Sequence, residues 1–404
     1  MATAVTPMDC IIFGGGVAGL FTLDACVRKG MRVVLLESKA LGTGQTIDSQ
    51  GIIHGGLKYA ITGNGSRSAS AIKDMPTVWR KCLAGESLPN LQHVVMRSDF
   101  CHVWRTDSIR SKLGWIAAKF ALRTKPVILD PDELPHALQG TQGSVARLGE
   151  QVIEPRSLLE ILSHNMTENI LQTAEGGVEV SRLEDGWLIQ LLNPETGEPQ
   201  DIFTKKVVLT AGSGNAQLRT LFSLEAGKTQ ARPLHMVMAR GDLPVLNGHC
   251  IDGAKTRVTI TTTKDYADRS VWQIGGQLAE DGIHLVPEKL IQRAVNEIKE
   301  VLPNVDLSGA EFTTYTTTRA EQFTRGARPS DISILEENNV YTCWPTKLAF
   351  APRLADEIIR RIGPKNDSEP VRIKEFSSWP TPVVALPPWE HDQPWTPIEV
   401  LQSQ

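Results

Sequence analysis

The sequence predicts an α/β protein, with α+β character overall, and three observations support this class. A short apolar strand, a glycine-rich turn, a helix and a second apolar strand follow one another between residues 10 and 37, as in a parallel sheet with crossover helices. Runs of β-branched residues lie between residues 225 and 325, where they favour a second sheet. A further apolar strand that ends in small residues lies at 206–214. We therefore expect the two architectures to be interleaved along the chain.

Composition narrows the class of protein further. The chain has 404 residues, enough for two or three domains. Its 42 basic side chains against 46 acidic ones leave a net charge of −4, which argues against a nucleic-acid partner. No apolar stretch is long enough to span a membrane, and the N-terminus lacks the basic region of a signal peptide. The six cysteines form no Cys-x-x-Cys pair, so we expect reduced thiols, a cytoplasmic protein and no metal site.

The first strand and its turn predict a dinucleotide-binding site. The strand runs into Gly14, Gly16 and Gly19, and a helix follows. Gly14 permits the tight turn, Gly16 lets the backbone approach a pyrophosphate, and Gly19 lets helix and strand pack closely. The amides at the start of the helix would donate to phosphate oxygens. Glu37 ends the second strand, 18 residues beyond Gly19, and can accept hydrogen bonds from both hydroxyls of a ribose.

The segment after Glu37 indicates which dinucleotide binds. Residues 41–59 are small, polar and glycine-rich, whereas a nicotinamide-binding domain would continue with strand and helix. Residues 49–59 read Ser-Gln-Gly-Ile-Ile-His-Gly-Gly-Leu-Lys-Tyr, which resembles the FAD-dependent D-amino-acid oxidase superfamily. The segment is similar to two branches, the FAD-linked glycerol-3-phosphate dehydrogenases and the L-2-hydroxyglutarate dehydrogenases. In both branches it passes beside the isoalloxazine ring.

This resemblance implies a Rossmann-like FAD-binding domain interleaved with a substrate domain built on a mostly antiparallel sheet. Further segments that resemble the superfamily lie at 152–159, 178–180 and 206–214. The expected boundaries are 1–79, 150–224 and 326–365 for the FAD-binding domain, 80–149 and 225–325 for the substrate domain, and 366–404 for a Pro/Trp-rich tail. Residues 80–149 read as a mixture of helix and loop, and Pro287 to Leu302 reads as an amphipathic helix.

The resemblance implies FAD as the cofactor. No cysteine lies in residues 312–322, where some relatives attach the flavin, so we expect a non-covalent complex. The expected cofactor contacts are Gly14, Gly16, Val17, Ala18, Gly19, Glu37, Ser38, Thr46, Ser49, Gln50, Gly51, Ile53, Val180, Ala211, Gly212, Lys347 and Leu348.

Two cationic residues are candidates for binding an anionic substrate. Arg328 lies in a Gly-Ala-Arg-Pro sequence that resembles the Gly-Leu-Arg-Pro of glycine and D-amino-acid oxidases, whose arginine binds the substrate carboxylate. Its planar guanidinium suits a carboxylate, although pairing with Asp331 is an alternative. Lys347 aligns with a lysine that binds carboxylate in sarcosine oxidases. Alternatively, it lies near the N1–C2=O edge of the flavin, where the amides of Lys347 and Leu348 would also serve.

Two histidines are candidates for the base that an alcohol oxidation needs. His54 resembles a family histidine beside the flavin ring, and packing or hydrogen bonding to the flavin is its alternative role. His235 lies on a strand expected to cross toward the active site. Tyr315 and Arg319 are weaker candidates.

Two segments lie outside the predicted catalytic machinery. Residues 109–123 form a basic amphipathic pattern, which indicates either a helix packed on the substrate domain or peripheral contact with a membrane. Residues 379–397 hold six prolines and three tryptophans, which favours an extended clasp on the domain surface or, as the alternative, a lid or docking segment.

The leading hypothesis is an FAD-dependent dehydrogenase that oxidises the CH–OH group of a small anionic substrate, a 2-hydroxy acid or polyol phosphate, with quinone or oxygen as acceptor. The first alternative is an amino acid or secondary amine oxidase that produces hydrogen peroxide. The second, of another class, is a non-catalytic or assembly flavoprotein with structural FAD.

Overall fold

The computed structural model describes residues 5–56, 67–106, 126–252, 255–325, 329, 331–363 and 373–402. Its helices are α1 (Val17–Arg28), α2 (Arg67–Leu83), α3 (Pro155–His164), α4 (Asn215–Leu221), α5 (Gln277–Asp281), α6 (Pro287–Val301), α7 (Ala351–Ile362) and α8 (Ile398–Gln402). Within these described ranges, no helix has the length and apolarity needed to cross a membrane. The predicted amphipathic segment 109–123 and Arg328 lie outside the described residues.

The strands of the first half of the chain are β1 (Thr6–Met8), β2 (Cys10–Phe13), β3 (Val33–Glu37), β4 (Met96–Ser98), β5 (Cys101–Arg105), β6 (Val127–Ile128), β7 (Val145–Leu148), β8 (Val152–Ile153), β9 (Ile170–Gln172), β10 (Val178–Leu183), β11 (Gly186–Leu192) and β12 (Pro199–Thr204). Those of the second half are β13 (Val207–Leu209), β14 (Thr229–Gly241), β15 (Gly248–Asp252), β16 (Lys255–Lys264), β17 (Ser270–Gly275), β18 (Glu311–Gln322), β19 (Ser333–Glu337), β20 (Val340–Trp344) and β21 (Thr396–Pro397).

The first sheet has six strands in the order β19-β20-β13-β2-β3-β9. Its pairs are parallel except for the edge strand β19. The central strands are continuous apolar runs because both faces of the sheet are covered. Ile12 and Leu35 pack into the core that contains α1, α3 and α7, whereas Ile11 and Val34 pack into the core under the four-stranded sheet β1-β12-β11-β10.

The second sheet has nine strands in the order β21-β18-β14-β17-β16-β15-β5-β7-β6. It is antiparallel apart from the β15–β5 pair. Helix α6 packs on one face, where Leu290 and Ile298 join Ile260 and Trp272 in one core. The predicted helix over 287–302 and the predicted fold class are therefore confirmed.

The N-terminal part of this sheet differs from the sequence prediction. Residues 80–149 were expected to mix helix and loop, yet β5 and β7 pair with each other and extend the nine-stranded sheet. The physical reason is that β5 reads Cys-His-Val-Trp-Arg, in which polar residues interrupt the apolar run. On its other edge β5 pairs with β15, more than 140 residues away, so no local sequence pattern indicates that pairing.

The two sheets draw on alternating stretches of the chain. Strands β2–β3, β9, β13 and β19–β20 build the first sheet, and strands β5–β7, β14–β18 and β21 build the second. On the basis of this alternation, we propose the interleaved domain boundaries given above.

The described part of the tail, residues 373–402, contacts both sheets. Trp379 Nε1 donates to the Gln172 carbonyl at 2.6 Å, and Val384 forms a bridge with Leu41. Further on, β21 pairs with β18 of the second sheet. The tail therefore joins the two sheets and lies beside the loop that follows β3.

Candidate active site

A cavity of about 1420 Å³ is lined by residues from both sheets. Small-molecule sites usually occupy about 300–1000 Å³, so the space is large enough for a dinucleotide together with a small substrate. We call two parts of its lining the glycine end (Gly14, Gly16, Glu37 and Thr46) and the histidine end (His54, Glu150 and His249).

The glycine end is built where β2 turns into α1. Gly14 has a φ of +103°, and a Cβ at this position would lie 2.5 Å from Ala211 Cα. A Cβ at Gly16 would lie 3.1 Å from Thr46 Oγ1, the atom that accepts a hydrogen bond from Val17 N at 3.2 Å. The turn therefore has no side chain between its backbone and Thr46 or Ala211, and the first residues of α1, Val17 and Ala18, line the cavity.

Glu37 lies at the end of β3 and lines the same part of the cavity. Its Oε2 accepts a hydrogen bond from Gly15 N at 2.7 Å, and its Oε1 accepts one from Lys39 N at 2.9 Å. Burial raises the pKa of this carboxyl above its ordinary value, and the backbone hydrogen bonds only partly offset the effect. The side chain is thus held in place at the position expected for a ribose partner.

Most of the predicted cofactor residues line the cavity. They are Gly14, Gly16, Val17, Ala18, Glu37, Ser38, Thr46, Ser49, Gln50, Gly51, Ala211, Gly212, Lys347 and Leu348. These positions bring bare backbone, helix amides and a fixed acid together, which is a set of groups that fits FAD.

Three predicted cofactor residues are not among the described lining residues. A Cβ at Gly19 would overlap the carbonyl oxygen of Gly14, so its role there is helix packing. Ile53 is buried in the core around α1, and Ile52 lines the cavity instead. Val180 likewise does not line the cavity, although Val178 on the same strand does, together with the preceding segment Thr173–Gly176.

Some of the predicted catalytic residues line the cavity and others do not. His54 and Lys347 line the cavity. His235 does not, because Leu234 and Met236 on either side of it face the cavity and alternate residues of a strand point to opposite faces. Its Nδ1 lies 3.3 Å from the carbonyl oxygen of Gly282. Arg328 is outside the described residues, but Pro329 next to it lines the cavity.

The side chains of the weaker candidates Tyr315 and Arg319 both bind other groups of the protein. Tyr315 donates to the Asp48 carbonyl at 2.9 Å and accepts from Gln273 Nε2 at 3.0 Å, and burial raises its pKa far above the usual range. Arg319 lines the cavity and pairs with Glu280 at 3.1 Å.

The histidine end contains two residues that sequence reasoning missed, Glu150 and His249. Glu150 is buried, with 4% of its side chain accessible, and its Oε1 accepts a hydrogen bond from Gly55 N at 2.6 Å. Its Oε2 lies 3.5 Å from His54 Nδ1 and 3.7 Å from His249 Nε2. The only sequence signals were an acid two residues before β8 and a histidine inside the apolar strand β15.

Burial and charge act against each other in this cluster. Burial alone would raise the pKa of the Glu150 carboxyl, but the two imidazoles outweigh it and hold that pKa well below its usual range. Burial lowers the pKa of His54, and Glu150 opposes this effect only in part, while His249 and Lys347 add to it. The cluster therefore combines an ionised carboxylate with a neutral His54 at neutral pH. One nitrogen or oxygen atom from each of the three residues lies within 4.8 Å of the other two, a spacing that would also accommodate a divalent cation.

Comparison with known proteins defines the class. The family model for DAO, FAD dependent oxidoreductases, matches residues 9–343. A probable FAD-dependent oxidoreductase, PA4991 of Pseudomonas aeruginosa, is 35% identical over 391 residues, which are 95% of this chain and 97% of the relative. The chain therefore belongs to the DAO family of FAD-dependent oxidoreductases. FAD is its cofactor, and the predicted family and enzyme class are confirmed.

Solved structures agree with the fold. The crystal structure of PA4991 matches with a TM-score of 0.79 at 32% identity, over 96% of this chain and 98% of that one. L-alpha-glycerophosphate oxidase from Mycoplasma pneumoniae matches with a TM-score of 0.67 at 15% identity, over 91% of this chain and 98% of that one. Glycine oxidase from Geobacillus kaustophilus matches with a TM-score of 0.65 at 12% identity, over 90% and 96%. At these identities the last two comparisons show the fold alone.

Proposed function

We propose that this FAD-dependent oxidoreductase oxidises the CH–OH group of a small anionic molecule, a 2-hydroxy acid or a polyol phosphate. The observation that carries the proposal is the imidazole of His54, which lines the cavity and keeps 41% of its side-chain surface accessible. An alcohol must lose its hydroxyl proton as its carbon is oxidised, and a neutral imidazole is a suitable acceptor. We assign the role of base to His54 rather than His235, whose strand position turns it from the cavity.

The glycine end would hold the cofactor. Amides at the start of α1 suit the pyrophosphate, and Glu37 suits a ribose. When bound, FAD supplies the acceptor for the hydrogen that leaves the substrate carbon with its electron pair. We propose a non-covalent complex. The one cysteine among the described lining residues, Cys343, has a buried thiol that donates to the Tyr341 carbonyl at 3.3 Å, and burial raises its pKa, so it is a poor nucleophile.

Lys347 and Arg328 would bind the anionic group of the substrate. Lys347 lines the cavity, and Arg328 adjoins the lining residue Pro329. The two other arginines of the described lining are already paired, Arg232 with Glu321 and Arg319 with Glu280. Their charges are compensated within the protein, and the anchoring role proposed for Lys347 and Arg328 rests on their places in and beside the cavity lining.

The final electron acceptor in this proposal is quinone or oxygen. Peripheral contact between residues 109–123 and a membrane would fit quinone, because that segment combines an apolar stripe with flanking cations.

Amine oxidation is the second candidate function. The observation that favours it is the position of Lys347 in the cavity lining, because the matching lysine of sarcosine oxidases binds a carboxylate. An unprotonated amine has no hydroxyl proton to lose. His54 would then have no essential role in proton transfer.

Anaerobic bleaching of the flavin separates these functions. The purified protein would be mixed with hydroxy acids, polyol phosphates, amino acids and secondary amines, and then reoxidised with oxygen or a soluble quinone. We expect bleaching by an anionic alcohol. Bleaching by amines alone, with hydrogen peroxide formed on reoxidation, would establish the second candidate, and bound FAD that no compound bleaches would establish a structural role for the cofactor.

A further inference from the structure

The contacts of Glu150 at the histidine end determine where protons lie on the two imidazoles. Oε1 of Glu150 accepts from the Gly55 amide at 2.6 Å, and a backbone N–H is always a donor. This bond fixes the orientation of the carboxyl group. It leaves Oε2 buried between His54 Nδ1 and His249 Nε2, and among the described residues no atom lies within hydrogen-bond geometry of Oε2.

An ionised carboxylate can only accept hydrogen bonds. The two nitrogens at 3.5 Å and 3.7 Å from Oε2 are favoured there only when each carries a proton. Two bare nitrogen lone pairs facing a buried negative charge would instead repel it.

The other side of His249 agrees with this assignment. Its Nδ1 lies 2.9 Å from Thr259 Oγ1. With the proton of a neutral ring on Nε2, Nδ1 is an acceptor, and the Thr259 hydroxyl can rotate to donate to it. Every group from Thr259 to Oε2 then has a matching partner.

The same rule fixes the state of His54. Its proton lies on Nδ1, facing Glu150, so Nε2 carries a lone pair at the remaining edge of a ring that lines the cavity. Among the described residues, the charged groups that act on this ring are Glu150 and Lys347, with His249 beside it. The ring centroids of the two histidines are 5.6 Å apart.

We infer that Glu150 is a positioning residue that fixes the tautomer of His54, leaving Nε2 as the atom that receives the substrate's hydroxyl proton, and that His249 holds Glu150 in place. The inference deepens the proposed function and rests on it for the role of His54 as base. In the step itself, the O–H bond of the substrate breaks and an N–H bond forms at Nε2. The proton on Nδ1 stays where it is, and Glu150 stabilises the resulting imidazolium.

The variant Glu150→Gln tests this inference, because its orientation is forced. Its carbonyl oxygen must replace Oε1 to accept from the Gly55 amide, which places its NH₂ group where Oε2 was. A donor then faces His54 Nδ1, so the proton of the neutral ring moves to Nε2 and the base is lost. We expect kcat to fall by about 10²–10⁴-fold, with the KM and the FAD content close to wild type. Glu150→Asp keeps an acceptor and should restore a measurable part of the rate.

A second readout needs no substrate. Holoenzyme labelled with ¹⁵N-histidine reports which ring nitrogen carries a proton, and a His54→Gln variant assigns the His54 signals. We expect protonated Nδ1 in the wild type and in Glu150→Asp, and protonated Nε2 in Glu150→Gln. The same tautomer in the wild type and Glu150→Gln would overturn the inference. So would one equivalent of a divalent cation in wild-type holoenzyme that is missing from Glu150→Gln.

This pair of measurements separates the inference from the proposed function. If the tautomer changes as expected but only amines bleach the flavin, the positioning contact stands and alcohol oxidation fails. If an alcohol bleaches the flavin equally fast in Glu150→Gln and the wild type, alcohol oxidation stands and the positioning role fails.

Discussion

The glycine end and the histidine end of the cavity are assembled over very different lengths of chain. Gly14, Gly16 and Glu37 belong to one strand–helix–strand unit. His54, Glu150 and His249 come from three segments, and about 100 residues separate each from the next. A strand–helix–strand unit formed by consecutive residues needs its turn, the start of its helix and its terminal acid in a fixed order along the sequence. Residues that meet only in the folded chain carry no such order.

The largest expected effect comes from breaking the glycine end with Gly16→Val. A Cβ there would lie 3.1 Å from Thr46 Oγ1, and the branched side chain would occupy the space that the pyrophosphate needs. We expect the purified protein to fold but to retain less than about a tenth of its FAD, a loss of at least ~1.4 kcal/mol of binding. Flavin absorbance per protein and circular dichroism measure the two properties.

Gly227→Ala is the matched control, because its Cβ would make only an ordinary contact with Glu225 at 3.5 Å. It should stay fully yellow. A Gly16→Val protein with full FAD content would remove the glycine end from the cofactor site.

The second-largest loss of activity is expected from a change at the histidine end. His54→Gln should keep its FAD and lose about 10²–10⁴-fold in kcat/KM, because the proton acceptor is gone while the glycine end is intact. In the wild type, burial lowers the pKa of His54 from its ordinary value of 6.5. The imidazole is therefore neutral at pH 7, and kcat/KM should fall only as the pH drops through that lowered pKa.

The pH profile of kcat/KM with an oxidisable anionic alcohol checks this prediction. His54→Gln should lack the acid limb that the wild type shows. An unchanged acid limb in the variant would assign it to another group.

A smaller effect than at either end is expected from Arg328→Lys, because this change concerns the binding of the substrate alone. Lysine keeps the charge but loses the second hydrogen bond to a carboxylate. Losing one charge-assisted bond costs about 1.5–3 kcal/mol, or roughly ten- to 150-fold in kcat/KM at about 1.4 kcal/mol per decade. We expect most of this loss in the KM, if the bond holds substrate and transition state equally.

Arg325→Lys, at an exposed position three residues earlier, is the control and should behave as wild type. If Arg328 only pairs with Asp331, the melting temperature would fall instead and the kinetics would stay normal.

The smallest effect is expected from Thr259→Val, which removes one neutral hydrogen bond to His249. Such a bond contributes about 0.5–1.5 kcal/mol, so kcat should fall about two- to twelvefold with no change in FAD content. Thr229→Val, whose hydroxyl bonds the Ala226 carbonyl at the surface, should leave kcat unaltered. A loss at Thr259 as large as that of Glu150→Gln would mean that His249 itself acts on the substrate.

The sequence predicted the fold class and the cofactor, and it singled out all four residues of the glycine end, which line one cavity. Two of the site residues expected from the sequence do not line the cavity, and in each case a neighbour in the chain does. His235 was placed on the correct strand, β14, but Leu234 and Met236 face the cavity and His235 does not. The same one-residue offset separates Ile53 from Ile52. A strand pattern predicts that faces alternate, yet which face meets a cavity depends on what packs on the other side, here α6 and its core.

By itself the sequence determined the strand–glycine turn–helix–strand unit, because turn geometry and helix amides depend on residues that are neighbours in the chain. It also placed His54 in a segment that resembles the flavin-facing stretch of relatives. Only the tertiary structure decided that Glu150 and His249 meet His54. The pairing of β15 with β5 and β16, and the bond from the Gly55 amide to Glu150, bring these side chains together. Burial of Glu150 and His249 then makes the carboxylate depend on the two imidazoles, because a buried charge must find its partner within the protein.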